Sequence, residues 1–102
     1  MRKIKRRGDV KKMKIEAIAG LEARLADSQD AEPLGEGHWA LDLYDAQPPL
    51  TLELEFGKQG LEVTAAAELR FSEELDGYYM AERVTDAAQV RAELLNWVRQ
   101  GG

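Results

Sequence analysis

LTLELEFGKQGLEVTAAAELRF, residues 50–71, alternates oily and polar side chains on both sides of a glycine-bounded turn. Leu50, Leu52, Leu54 and Phe56 alternate with Thr51, Glu53 and Glu55. Leu61, Val63, Ala65, Ala67, Leu69 and Phe71 alternate with Glu62, Thr64, Glu68 and Arg70. Successive side chains of a strand point to opposite faces, so a period of two predicts two strands, each with one face turned to a core. Gly57-Lys-Gln-Gly60 is short enough to make them a hairpin. Pairing Phe56 with Leu61 across that turn sets Leu54 opposite Val63, Glu55 opposite Glu62 and Glu53 opposite Thr64. Two glutamates side by side on neighbouring strands oppose sheet formation, so stability alone does not account for them.

The same period continues on both sides. Upstream, Trp39, Leu41 and Leu43 alternate with Ala40, Asp42 and Tyr44, and Pro48-Pro49 ends that strand. Setting Leu43 opposite Leu50 brings His38 beside Glu55. Downstream, Ser72 to Gly77 reads as a turn and Tyr78 to Val84 as a fourth strand, with Tyr78 and Met80 inward. The exposed face then collects His38, Asp42, Glu53, Glu55, Glu62 and Glu68, relieved mainly by Arg70.

At the two ends the period is helical. Ile15, Ile18, Leu21 and Leu25 recur every three or four residues, predicting a helix from about Val10 to Ala26 or Asp27. Ser28 to Gly37 (SQDAEPLGEG) reads as a loop. Ala87, Val90, Leu94, Trp97 and Val98 form the stripe of a last helix, capped by Asp86 or Thr85 and stopped at Gly101. The expected fold is α+β: a four-stranded antiparallel meander with N- and C-terminal helices packed on one face, in the order α-β-β-β-β-α. A chain of 102 residues holds one such domain, here residues 10–102 behind a basic flexible arm, 1–9.

Charge is divided as sharply as period. The first fourteen residues hold eight bases (Arg2, Lys3, Lys5, Arg6, Arg7, Lys11, Lys12, Lys14) and one acid, a net +7, while the other eighty-eight hold six bases and eighteen acids, a net −12. Clustered like charge builds a potential that steers association with oppositely charged partners. The arm reads as a phosphate-binding arm for nucleic acid, as a solvated tail or an extension ahead of an alternative start at Met13, or as a segment that docks on an acidic face, its own or a neighbour's. It contains no aromatic residue to stack on bases.

Chemistry finds little support. Cysteine is absent, which excludes disulfides and thiolate nucleophiles and fits a reducing, cytoplasmic setting. The basic start is followed by no unbroken apolar stretch of the ~7–15 residues an export signal needs, and nowhere do about 18 apolar residues run together to span a membrane. No phosphate-binding glycine loop is present, and neither serine sits in a nucleophile motif. His38, Glu55 and Glu62 form a conceivable metal set, and the paired carboxylates a conceivable glycosidase pair. Alternating glutamates on a solvated sheet face are the simpler reading of both, and no cofactor is implied. The expected function is therefore non-catalytic: a small acidic adaptor, inhibitor or antitoxin-like module. It meets a basic protein surface through Asp42, Glu53, Glu55, Glu62 and Glu68, with Tyr79 beside the acidic turn Ser72 to Asp76 as a contact. Nucleic-acid binding through the arm is the alternative, and the oligomeric state is open.

Overall fold

The structure, a computed structural model, describes residues 12–58 and 60–101. The elements run β1 (Met13–Ile15), α1 (Leu21–Ala26), β2 (Ala31–Gly35), β3 (His38–Leu43), β4 (Leu50–Gly57), β5 (Gly60–Ser72), β6 (Gly77–Arg83) and α2 (Ala87–Gly101). The class is α+β with an antiparallel sheet and two helices, as expected, but the described residues form six strands rather than four. Their order is β1-β5-β4-β3-β2, and β6 also pairs with β5.

Both added strands come from segments whose reading is corrected. Ile15, Ile18, Leu21 and Leu25 are all buried, as their spacing requires, yet only the last two are helical. Met13, Lys14 and Ile15 pair with Val63, Glu62 and Leu61 as a strand. Helix is confined to the far side of Gly20, which takes the left-handed conformation at φ 83° and caps α1. Left-handed backbone interrupts a helix, and β-branched isoleucines lose side-chain freedom in one, so an open edge on β5 wins the segment. The arm itself, residues 1–9, and the proposed helix start at Val10 lie outside the described residues.

The second correction is the loop of Ser28 to Gly37. Ala31, Glu32, Pro33 and Gly35 pair with Leu41, Ala40, Trp39 and His38 to make β2, an edge strand. Pro33 has no amide hydrogen to donate, a lack that an edge tolerates and a central strand does not. Gly37 turns the chain at φ 73°, its carbonyl accepting from the Phe56 amide at 2.8 Å. A Cβ there would stand 2.9 Å from the Phe56 carbonyl oxygen, so Gly37→Ala meets both a backbone collision and left-handed strain. The expected loss is about 1–2 kcal/mol, read as a lower urea midpoint with unchanged slope.

The core lies on one side of the sheet. Leu41, Leu43, Leu50, Leu52, Leu54, Leu61 and Val63 form one cluster with Leu21 and Leu25 of α1 and Val90, Leu94 and Trp97 of α2. Asp86 starts α2 as its spacing implied: its Oδ1 accepts from the amides of Ala88 at 3.1 Å and Gln89 at 3.2 Å.

One irregularity on β5 decides which residues reach the other side. The hairpin begins in the expected register, with Phe56 on Leu61, Glu55 on Glu62 and Leu54 on Val63, and Leu43 sits on Leu50. Glu53 then pairs with Ala65, not Thr64, because Thr64 is an extra residue bulged from β5. Everything beyond it changes face. Ala66 turns inward beside Leu52, while Ala67 turns outward beside Thr51. Leu69 and Phe71 follow Ala67, and their partners Met80 and Tyr78 go with them. Phe71 (56% exposed), Tyr78 (49%) and Met80 (70%) are thus solvent-facing, contrary to their inward assignment.

Candidate functional site

The exposed side of the sheet has two unlike ends. At one, a row of charges crosses four strands: His38 pairs with Glu55, Glu55 with Glu62, and Glu62 with Lys14. His38 Nε2 lies 3.1 Å from Glu55 Oε2, both side chains partly exposed. The two glutamates do stand opposite one another, but each has a basic residue on its other flank, so the row reads base-acid-acid-base. This relief was invisible while Lys14 was assigned to a helix. Among the described residues no group of three His, Asp or Glu side chains is arranged to hold a metal ion.

The remaining acids are distributed unequally. Glu53 is exposed on this face beside Ala40 and Ala65. Asp42 is already engaged, accepting from Thr51 Oγ1 at 2.7 Å and from the Tyr44 hydroxyl at 3.2 Å. Partial burial, and then the Asp42 charge, raise the Tyr44 hydroxyl above its ordinary pKa. Glu68 leaves the row. It pairs with the core residue Leu50, which puts it on the opposite face, where Arg70 Nη2 meets its Oε1 at 3.3 Å. That hydrogen bond raises the Arg70 pKa. Tyr79 pairs with Arg70 and shares its face, 42% exposed.

The other end of the exposed side is apolar. β5 is thirteen residues long and β4 eight, so beyond Leu69, whose amide donates to the Pro49 carbonyl at 2.8 Å, only β6 pairs with it. On this two-stranded extension Tyr78 contacts Phe71 edge-on, ring centres 5.4 Å apart, and Tyr44 at 5.2 Å. Met80 lies beside them opposite Leu69. Leu69 is buried yet belongs to no part of the helix-side cluster, as expected of a residue on the outer face. Sequence reasoning missed this patch because it continued the period of Leu61 and Val63 through four small residues, Thr64-Ala-Ala-Ala67, where a strand bends most easily.

Of the bases assigned to a nucleic-acid arm, Arg2, Lys3, Lys5, Arg6, Arg7 and Lys11 lie outside the described residues, while Lys12 and Lys14 are exposed at the start of β1. Among the described residues no helix is long and apolar enough to cross a membrane. Compared with protein-family models, curated proteins and solved structures, the chain matches none of them.

Proposed function

We propose that this chain is a non-catalytic protein-binding module, of the adaptor, inhibitor or antitoxin-like kind, that meets a basic partner surface through the exposed side of its sheet. The observation carrying this reading is the joint exposure of Tyr44, Phe71, Tyr78 and Met80 on the same face as Glu53, Glu55 and Glu62. Aromatic residues and methionine are enriched at the centres of protein interfaces, and charged residues sit at their rims and steer approach. A single core cluster shared by both helices supports their packing together on the opposite side, which leaves this face to a partner. Asp42 acts within the site as an anchor for Thr51 and Tyr44, while Glu68 and Tyr79 contact a partner only if it wraps around the β5–β6 extension.

An affinity pull-down from a cell extract at low and at high salt, read by mass spectrometry, tests the reading. The expected result is a protein partner that is retained by the full chain, weakened by salt, and still retained when Lys3, Lys5, Arg6 and Arg7 are all changed to Gln. If instead the recovered partner is RNA or DNA and that fourfold substitution removes it, the module is a nucleic-acid accessory protein and the sheet face is not its site.

A further inference from the structure

β1 and β6 lie along the same edge of β5, since Val63 pairs with both Leu54 and Met13, and Ala67 with both Thr51 and Arg83. They do not meet. β1 reaches only Val63, and the β6 side begins where the Val84 amide donates to the Ala66 carbonyl at 2.9 Å. Thr64 and Ala65 fall in the break, at the bulge. Over this break lies an open trough of about 580 Å³, with Met13 and Met80 among its walls, Ala65 and Ala67 along its floor, and Glu53 and Arg83 at its margin. Pockets that accept small ligands or side-chain anchors run to ~300–1,000 Å³. Alanines leave the floor low, and a methionine such as the exposed Met80 reshapes readily around an apolar guest.

We propose that this trough is a socket for one large apolar side chain carried on a cationic segment of another protein. The inference rests on the protein-binding reading of the same face and names the partner's chemistry. Charge complementarity selects the occupant: Glu53 borders the trough, and Glu55 and Glu62 continue the acidic margin on the same side of the sheet. A lysine or arginine on each side of the anchor reaches those carboxylates while a leucine, methionine or phenylalanine fills the break. An acidic apolar segment has the reverse arrangement and is rejected.

The test is fluorescence anisotropy on the full chain with three labelled nine-residue peptides: lysines and arginines around a central leucine, the same peptide with glycine for leucine, and the same with glutamate for every base. The leucine-centred basic peptide is expected to bind at least tenfold more tightly than the other two. Ala65→Phe, which raises the floor at an exposed strand position, should reduce it to the level of the glycine peptide, with an unchanged far-ultraviolet circular dichroism spectrum. Met80→Lys should do the same by placing a cation in the wall. Equal binding of the leucine and glycine peptides overturns the socket but leaves the acidic-face reading standing, because charge alone then suffices. Tight binding of the glutamate peptide overturns the cationic assignment. A tenfold gain for the leucine peptide when Lys3, Lys5, Arg6 and Arg7 are changed to Gln hands the socket to the chain's own N-terminal segment and overturns the intermolecular one.

Discussion

Leu41→Ala is expected to destabilise the fold by about 2–5 kcal/mol, a large share of the ~5–15 kcal/mol that holds a domain of this size. Leu41 is wholly inaccessible, pairs with Leu52 across β3 and β4, and belongs to the cluster that joins the sheet to both helices. Removing three carbons there forfeits their transfer from water and leaves a cavity that a paired strand cannot collapse to fill. In thermal melts each kcal/mol corresponds to ~4–8 °C for a chain this short, so the midpoint falls by at least about 8 °C. Phe71→Ala and Met80→Ala provide the contrast. Both residues read as core in the sequence alternation, and truncating a buried Phe would be as damaging as truncating Leu41. Exposed at 56% and 70%, they should instead shift stability by only about 1 kcal/mol or less. A Phe71→Ala loss equal to that of Leu41→Ala would place the β5–β6 extension back over the core and remove the apolar patch from the exposed face.

The contrast also marks where sequence stops being sufficient. Period two from Trp39 to Val63 was legible because each residue's burial there depends on one repeated choice, inward or outward, and the glycine-bounded turn locks the register of both hairpin strands. Past Val63 a single extra residue, Thr64, reverses every later side chain, and no local preference among Thr64, Ala65, Ala66 and Ala67 announces it. The helical reading of Ile15 to Leu25 failed differently. Burial of all four apolar residues was correct, since strand-turn-helix and continuous helix can bury the same set. What distinguishes them is Gly20 in a left-handed conformation and a vacant edge on β5, and the second of these exists only once the sheet is assembled. β2 escaped notice because an edge strand needs just one partner and tolerates Pro33, which a central strand would not. The site inherits these errors. Glu53, Glu55 and Glu62 lie before or beside the bulge and share a face as read, whereas Glu68 and Tyr79 lie beyond it and change sides.

Changing Glu55 and Glu62 together to Lys should weaken binding of the partner at least tenfold at ~0.1 M salt, the difference narrowing as salt rises toward 1 M. The row base-acid-acid-base becomes His38-Lys-Lys-Lys14, so the face proposed to attract a basic surface would repel it. The substitution also removes the His38–Glu55 pair at 3.1 Å and sets Lys opposite Lys14, for which exposed pairs account for ~1 kcal/mol or less of stability each. The domain therefore stays folded, and a chain that binds less is not simply a chain that unfolds. Net charge needs its own control, because the double change adds four positive charges to the chain wherever it is made. Glu73→Lys with Glu74→Lys makes the same change on the β5–β6 turn, away from the His38–Lys14 row. If the turn variant loses the partner as completely as the row variant, attraction is a property of the whole acidic body and no face is selected. If it keeps most of its affinity, the carboxylates act where the register puts them, beside the trough and on the same side as the exposed rings.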